Sequence, residues 1–346
     1  MTNDNNISSS LVEVARRAGV SKTTVSYVLS GQAKKRRVAK KTANQVLEAA
    51  KTLNYVPHLW ARNLARQQTK AIGLLFANYE LNWASFVMAG LLPVFEANGY
   101  IPVTSTHLWD KERMGRELEM ALQRRDEGVI CQPFSGCNEY YKDVLRRRVP
   151  LVFIADTIEN MPEVSYVCWD STPAAKLAVH HLIETGRRRI GYIGFELGIK
   201  FAKARYQAYR DTLAEAGLEA NNDWIGLEPL IPSKRSGGSV INIVERIMSR
   251  QNKPDALFIQ HDTYALEALE KLNQMGIKVP DDVAIIGMGD VITASPYGLS
   301  TVHEPLEEMG KIAAETMLEL IEKPEKGPMQ RAISGTELKI RKTTKS

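Results

Sequence analysis

From residue 71 to residue 289, short apolar runs alternate with longer segments of helical periodicity. The apolar runs include AIGLLFA (71–77) and RIGYIGF (189–195), and each is of strand length. Helices are predicted between such runs, for example over 84–98 and 202–216. Repeated alternation of this kind is typical of parallel sheets covered by helices on both faces. The pattern therefore predicts an α/β core built from such sheets.

Length and composition describe an ordinary globular chain. Its 346 residues suggest two or three domains, and 44% hydrophobic with 25% charged residues is typical of soluble protein. The apolar runs are far shorter than the roughly 20 residues that cross a bilayer. The N-terminal MTNDNNISSS lacks the basic and then apolar order of a signal peptide. We predict a cytoplasmic protein with no membrane partner.

Motifs for catalysis, metals and nucleotides are missing from the sequence. The three cysteines have no CxxC spacing, and the six histidines form no HxH or HExxH pattern. GYIGFELG and GMGD fit neither GxGxxG nor GxxxxGK[ST]. No ordered Ser/His/Asp set or GxSxG elbow occurs. We predict that the chain is not an enzyme and has no catalytic residues, metal site or cofactor.

The charge of the chain is divided unevenly along its length. Residues 1–70 hold 13 Lys and Arg against 3 Asp and Glu, a net charge of +10, whereas the whole chain carries only +5. The remaining residues are therefore acidic overall, with a net charge of −5. A basic head on an acidic body predicts that the head alone meets a polyanion, and nucleic acid is the leading candidate.

The head has the pattern of a helix-turn-helix. Ser10 with Glu13 fits a capping box, Gly19 suits a helix end, and Ser21 can cap a second helix. That helix would bury Val25, Val28 and Leu29. The apolar stripe of a third helix is predicted at Ala43, Val46, Leu47, Ala50 and Leu53. The alternative is an unrelated three-helix scaffold.

In a helix-turn-helix, the start of the second helix contacts base edges in the major groove. Nearby basic side chains bind phosphates and carry little sequence information. In the helix-turn-helix and the loop after it, the candidate DNA contacts are Ser21, Lys22, Thr23, Thr24, Ser26, Tyr27, Lys34, Lys35, Arg36 and Arg37.

These stretches and others resemble the lactose/galactose-repressor (LacI/GalR) family of regulators. The matches include VARRAGVSKTTVS (14–26), NYVP (54–57), ARNL (61–64), AIGLL (71–75) and HDTYALEALEKLNQMGIKVPDDVAIIGMGD (261–290). They run in order through nearly all of the chain. The resemblance implies an all-α helix-turn-helix headpiece and a periplasmic-binding-protein-like α/β core of two doubly wound parallel-sheet lobes.

The resemblance also implies domain limits. The headpiece would cover 1–57, a hinge helix or linker 58–70, and the effector-binding and dimerisation core 71–346. Within the core, the N-lobe would comprise about 71–168 and 302–330, and the C-lobe about 169–301 and 331–342.

A hinge helix around 58–66 would fold in the dimer on DNA. Leu64 would be the leucine that enters the minor groove, and His58, Ala61 and Arg62 would also contact DNA. An apolar side chain inserted there kinks the duplex in return for extra contacts. The alternative for this stretch is a charged linker.

Effector contacts are implied at the strand ends that match the family's cleft. They are Asn78, Asn82, Trp83, Trp169, Asp170, Arg205, His261, Asp262 and Asp290. Arg205 suits hydroxyls or a carboxylate because its donors are planar. The alternatives are a surface charge for Arg205, helix caps for Asp170 and Asp262, and filling of the lobes for the tryptophans.

Several positions depart from the family pattern. Tyr27 replaces the usual arginine of the recognition helix, and the loop SGQAKKRRVAKK (30–41) is longer and more basic. Ala39 replaces a capping serine. His261 and Gly289 replace polar residues of the cleft, so part of the set that holds a simple sugar is missing.

We therefore predict a homodimeric transcription regulator, a repressor, that binds a pseudo-palindromic operator. A small-molecule effector, with a carbohydrate as one candidate, would bind between the lobes and alter DNA affinity. The alternatives are a regulator without small-molecule control and a sugar-binding transport protein of the same core fold. The basic head argues against the transport protein. The chain carries no apolar heptads after RKTT, which favours a dimer.

Overall fold

The computed structural model describes residues 10–55, 68–78, 83–197, 199–229 and 239–345. Two compact units divide the chain, Met1–Lys70 and Ala71–Ser346, which we call the head and the core. The predicted hinge helix with His58, Ala61, Arg62 and Leu64 lies outside the described residues, and so does Asn82.

The head contains three helices with the predicted caps. They are α1 (Leu11–Ala18), α2 (Lys22–Leu29) and α3 (Lys40–Thr52). Ser10 and Glu13 form a capping box, Gly19 has a φ of 64°, and the Ser21 hydroxyl accepts from the Thr24 N–H. These contacts satisfy backbone groups that helix ends leave open, so the tight turn between α1 and α2 is stable.

A small core joins the three helices of the head. Val14, Val25 and Val46 are fully buried at its centre. The predicted stripe of α3 was wrong at Leu47, which is 52% exposed, and Ala49 is buried instead. Positions 46, 49, 50 and 53 keep helical spacing on one face, whereas Leu47 lies a third of a turn away from that face.

The core begins with a lobe of alternating strands and helices. Its elements are β1 (Ala71–Phe76), α4 (Trp83–Ala97), β2 (Ile101–Thr106), α5 (Lys111–Arg124), β3 (Gly128–Cys131), α6 (Asn138–Arg146), β4 (Leu151–Ile154) and β5 (Ser165–Trp169). The five strands pair in parallel in the order β5-β4-β3-β1-β2.

A second lobe follows with the same alternation. Its elements are α7 (Thr172–Glu184), β6 (Ile190–Phe195), α8 (Lys200–Glu215), β7 (Ile225–Glu228), α9 (Ser239–Met248), β8 (Ala256–Ile259), α10 (Asp262–Gln274), β9 (Ala284–Gly289) and β10 (Ser300–His303). The strands pair in parallel in the order β10-β9-β8-β6-β7.

The last elements return to both lobes. They are α11 (Leu306–Glu322), β11 (Gln330–Ile333) and β12 (Glu337–Lys339). Helix α11 packs on α4, β11 joins the first sheet beside β5, and β12 joins the second sheet antiparallel to β10. The chain thus returns to the first lobe after β10 and to the second lobe after β11.

Both faces of each sheet are covered, as the prediction of doubly wound lobes requires. In β1, Leu74 faces the core beneath α4 and α11, whereas its neighbour Leu75 faces α5 and α6. The second sheet divides in the same way, with Tyr192 and Ile193 of β6 in opposite cores. Strand side chains alternate between faces, so continuous apolar runs indicate burial on both sides.

Candidate functional site

The second helix of the head presents polar residues to solvent. Lys22, Thr23 and Ser26 are exposed, opposite the buried Val25 and Val28. At the start of α2, the hydroxyls of Ser21 and Thr24 are hydrogen bonded to each other at 2.9 Å. The exposed face of α2 can therefore offer one ammonium and two hydroxyl groups to a partner.

A basic loop follows α2 and folds back towards it. Its four cations, Lys34, Lys35, Arg36 and Arg37, are all exposed. The Arg36 guanidinium lies over an aromatic ring, with its carbon 5.0 Å from the centre of the Tyr27 ring. Arg36 is thus carried to the surface of the recognition helix.

The core contains a cavity where strands of both sheets end. Its volume is about 90 Å³, several times the ~10–15 Å³ that one water molecule requires. The lining residues come from both lobes and are Ala77, Asn78, Trp83, Trp109, Gln132, Ala155, Trp169, Ser171, Phe195, Phe201, Arg205, His261, Glu304, Leu306 and Met309. Most of them lie at or just after the carboxyl end of a strand, where open α/β sheets bind ligands.

Aromatic rings form much of the cavity wall. Three of the five tryptophans line it, together with Phe195 and Phe201. Trp83 is fixed edge-on against Phe76, with 5.5 Å between ring centres. Trp109 packs against Phe134 at 5.8 Å. Such a wall favours a ligand with a flat or apolar face.

Arg205 on α8 is buried in the cavity and already has an ionic partner. Its guanidinium forms an ion pair with the carboxylate of Glu304, which is also buried. It donates a second hydrogen bond to the Gln260 carbonyl at 3.1 Å and lies over the Trp169 and Phe201 rings at 5.9 and 5.4 Å. Because the carboxylate neutralises it, Arg205 adds no net charge to the cavity.

Two buried N–H groups at this cavity lack partners among the described residues. They are the Arg205 Nε and the Trp109 indole Nε1. Buried donors normally find an acceptor, so each exception requires an explanation. Both side chains line the cavity, so an acceptor on a bound molecule would satisfy them.

His107 supports the position of Trp109. Burial lowers the pKa of His107 to about 4, so this imidazole is neutral at pH 7. Its Nδ1 accepts from the Trp109 backbone N–H at 3.2 Å, and its Nε2 then donates to the Gln132 carbonyl at 3.0 Å. Trp109 has a φ of 58°, and these contacts stabilise the backbone in that unusual conformation.

Asp262, predicted to contact an effector, is outside the cavity lining. It is fully buried, and its carboxylate accepts from the Thr301 hydroxyl at 2.7 Å and the Val291 N–H at 3.0 Å. Burial raises its pKa to about 7. The cap of α10 is His261, whose Nδ1 accepts from the Thr263 N–H at 3.3 Å. Asp262 therefore joins α10 to the ends of β9 and β10.

The other two predicted carboxylates also lie outside the lining. Asp170 is exposed and accepts from the Thr172 N–H at 2.9 Å, beside the start of α7. Asp290 accepts from Arg341 at 2.7 Å, with His303 Nδ1 at 3.6 Å from its second oxygen. Each of these two carboxylates therefore has a partner within the chain, Asp170 beside a helix start and Asp290 in an ion pair.

Family models and relatives identify one family. Residues 10–58 match the family described as bacterial regulatory proteins, lacI family, and residues 179–344 match a periplasmic binding protein-like domain. The transcriptional repressor PurR of Haemophilus influenzae is 32% identical over an alignment covering 96% of this chain and 98% of that protein. The chain belongs to the lacI family.

A further relative and a solved structure are also similar to this chain. The ribose operon repressor of Haemophilus influenzae is 31% identical, over 90% of this chain and 92% of that protein. The crystal structure of the lac repressor dimer bound to operator and the anti-inducer ONPF has a TM-score of 0.81 at 23% identity. That comparison covers 98% of this chain and 99% of the other, and it shows the same fold.

Sequence reasoning missed much of the cavity of this lacI-family chain. Asn78, Trp83, Trp169, Arg205 and His261 were anticipated and do lie together. The missed lining residues are Ala77, Trp109, Gln132, Ala155, Ser171, Phe195, Phe201, Glu304, Leu306 and Met309. The sequence did give one indication of a cavity residue: Glu304 in STVHEP is an acidic residue directly after a predicted strand end.

A contact between the lobes lies near the cavity. Lys200 at the start of α8 donates to the Thr157 hydroxyl at 2.9 Å and lies 3.9 Å from the Asp156 carboxylate. Burial raises the pKa of Asp156. Since Thr157 follows β4, this contact joins the second lobe to the first.

Within the described ranges, no helix is long and apolar enough to cross a membrane. The same ranges contain no cluster of three His, Cys, Asp or Glu side chains that could hold a metal ion.

Proposed function

We propose that this lacI-family chain is a homodimeric, effector-controlled repressor of transcription. Its head binds a pseudo-palindromic DNA operator, and its core binds a small uncharged molecule between the lobes. The observation that carries the proposal is the exposed polar face of α2 on a stable helix-turn-helix, beside four further cations. A two-fold dimer presents two such heads to two half-sites.

The DNA contacts divide by chemistry. Lys22, Thr23 and Ser26 are exposed at the start of the recognition helix, so they are assigned to base edges. The Ser21 and Thr24 hydroxyls stabilise the start of α2 and are assigned to contacts with DNA phosphates. The same role is assigned to Lys34, Lys35 and Arg37. His58, Ala61, Arg62 and Leu64 are assigned to the minor groove by family resemblance alone.

The effector is uncharged and offers hydrogen-bond acceptors. An anionic ligand would compete with Glu304 for Arg205, and a cation would meet a carboxylate that is already paired. The unpartnered N–H groups of Arg205 and Trp109 instead select acceptors, while the aromatic wall selects a flat or apolar face. A carbohydrate fits this description, since it combines hydroxyl oxygens with apolar ring faces.

Control follows from the position of this cavity between two lobes. A ligand that binds one arrangement of the lobes better shifts the equilibrium towards it. Arg205 and Lys200 both lie on α8 of the second lobe. Through Lys200 that helix contacts Thr157 of the first lobe, and through Arg205 it contacts the crossover residue Glu304. A ligand at Arg205 is therefore well placed to change the relation of the lobes and so DNA affinity.

The proposed role is regulatory rather than catalytic. A repressor acts where the chromosome lies, which in a bacterial cell is the cytoplasm.

The proposal is tested by selecting full-length chain against a pool of random duplexes. Enrichment of an inverted repeat is expected, with binding lost when Lys22→Ala and Thr23→Ala are combined. The matched control is Lys142→Ala with Thr185→Ala in the core, which should leave binding intact. Recovery of no sequence motif at low salt would contradict the DNA-binding role.

The effector proposal is tested separately: neutral sugars are screened for a shift in the melting temperature of the same protein. The Trp109→Phe variant removes the unpartnered N–H and should weaken any such shift.

A further inference from the structure

Tyr27 and Arg36 form a pair on the surface of the recognition helix. Tyr27 belongs to α2, whereas Arg36 comes from the loop that follows it, and the guanidinium carbon lies 5.0 Å from the ring centre. Tyr27 is half-buried, while Arg36 is exposed. A cation over an aromatic face at this distance is attracted by the electrons of the ring.

Backbone hydrogen bonds hold the loop in the conformation that makes this contact. The Gln32 N–H donates to the Tyr27 carbonyl at 2.8 Å, and the Arg36 N–H donates to the Gln32 carbonyl at 2.9 Å. The Val38 N–H donates to the Ala33 carbonyl at 2.9 Å, and both of these residues pack on the core of the head. The position of Arg36 is thus built into the fold of the head.

The stacked guanidinium keeps its hydrogen-bonding edge available. Arginine can stack on a ring through its face while its planar donors remain directed outward. Among the described residues no carboxylate forms an ion pair with Arg36, and its neighbours Lys35 and Arg37 are also cations. The edge of Arg36 is therefore open to an acceptor outside the head.

We propose that Arg36, stacked on Tyr27, reads a guanine in the major groove of the operator. Tyr27 then serves as the platform that orients the guanidinium, and Lys34, Lys35 and Arg37 contact phosphates. This inference rests on the proposed DNA-binding function and deepens it. It gives Tyr27 a supporting role among the candidate DNA contacts, and it separates Arg36 from the loop cations that bind phosphates.

The chemistry of the groove supports this division. Guanine presents two acceptors, O6 and N7, which match the paired donors of arginine. Tyrosine has one hydroxyl and cannot form that paired contact. The recognition helix lacks an arginine among its own residues, KTTVSYVL, so the loop supplies the guanidinium from outside the helix.

The experiment is a binding selection on a randomised half-site, with the full-length chain and four variants. Arg36→Lys keeps the charge but loses the planar fork, so we expect the preference for G·C at one position to fall about 5- to 150-fold. Arg37→Lys is the matched control in the same loop and should leave every preference unchanged. Tyr27→Ala should lose the preference at the same position as Arg36→Lys, whereas Tyr27→Phe retains the ring and should keep it.

The outcomes separate this inference from the function on which it rests. If the wild-type chain enriches no motif, the DNA-binding function fails. If it enriches a motif that Arg36→Lys leaves unchanged, Arg36 does not read a base and the inference is overturned. Loss of the preference in Tyr27→Phe, with retention in Arg36→Lys, would assign the contact to the tyrosine hydroxyl instead. Circular dichroism establishes that each variant folds, and Arg36→Lys with Tyr27→Phe decides the question even if Tyr27→Ala does not fold.

Discussion

An arginine lies on aromatic rings in both units of this chain, in opposite surroundings. In the head, Arg36 lies over Tyr27 and is exposed to solvent. In the core, Arg205 lies over Trp169 and Phe201, where it is buried and paired with a carboxylate. Stacking on a ring therefore involves a solvent-exposed cation in the head and a cation paired with a carboxylate in the core.

The surroundings determine what each arginine can bind. Solvent stabilises an exposed guanidinium, so it needs no counter-charge in the free protein and remains able to bind a phosphate or a base edge. A buried guanidinium without a counter-charge would be costly, which explains why Glu304 accompanies Arg205. The head thus suits a polyanion and the cavity suits an uncharged molecule, although both use arginine.

Salt provides the strongest test of this contrast. DNA binding by the head should weaken by about 10³- to 10⁵-fold between about 50 and 200 mM salt, if roughly six to ten phosphates are neutralised. The stability of the core should change little, because its arginine is already paired. Fluorescence anisotropy with a labelled operator measures the first quantity, and urea unfolding followed by tryptophan fluorescence measures the second. Salt-independent DNA binding would contradict an electrostatic role for the head.

Removing the counter-charge tests the core directly. Glu304→Gln should destabilise the core by about 3–5 kcal/mol, because it leaves the buried guanidinium of Arg205 without a carboxylate. Urea unfolding measures the change. The control is the exposed Glu307→Gln at the start of α11, which should alter stability by less than about 0.5 kcal/mol. Equal effects of the two substitutions would mean that the ion pair does not balance a buried charge.

The buried carboxyl of Asp262 should make the stability of the core depend on pH. Its folded pKa is about 7, above the ordinary value of 3.8, since burial disfavours the charged carboxylate. Between these values the folded chain holds a proton that the unfolded chain has lost, so stability falls as pH rises. The slope is at most about 1.4 kcal/mol per pH unit, and the effect levels off above pH 7.

The measurement is the difference in free energy of unfolding between the chain and Asp262→Asn, followed from pH 5 to pH 8. Because asparagine does not titrate, the difference should move in favour of the variant as pH rises. Asp281→Asn, at an exposed position before β9, should show no such trend. A difference that is constant with pH would mean that Asp262 is ionised throughout this range.

The smallest expected effect belongs to the head. The N-cap residue of helix α3 is Ala39, which has extended backbone angles but no side chain that can cap. Ala39→Ser should stabilise the head by about 1 kcal/mol, whereas Ser21→Ala should destabilise it by a similar amount. Thermal melting followed by circular dichroism measures both shifts. An unchanged melting curve for Ser21→Ala would contradict the capping role of Ser21.

Local patterns were sufficient to predict most of the fold. Apolar runs such as 71–77 became strands buried on both faces, and the helix caps at Ser10, Gly19 and Ser21 occur as expected. These features depend on neighbours within a few residues, which the sequence displays directly. Leu47 shows the limit, because an apolar residue beside the stripe of α3 is not thereby part of it.

The cavity was harder to predict because its contacts join distant parts of the chain. Glu304 meets Arg205 across 99 positions, and no spacing rule connects them. Asp262 looked like a ligand group, yet its partners Val291 and Thr301 follow it by 29 and 39 positions. Likewise, Arg36 reaches Tyr27 only because the loop between them turns back.

The return of α11 and β11 to the first sheet has a consequence for synthesis on the ribosome. Helices α4 and α11 together cover the face of that sheet that carries Ile72 and Leu74, so part of this face stays open until residue 322 has emerged. At about 5–20 residues per second, the interval between completion of the head and arrival of β11 is roughly 15 s to 1 min. We expect the nascent chain to hold a finished DNA-binding head throughout this interval, before either lobe is complete. Chaperones that recognise exposed apolar strands would find their target here in the unfinished first sheet.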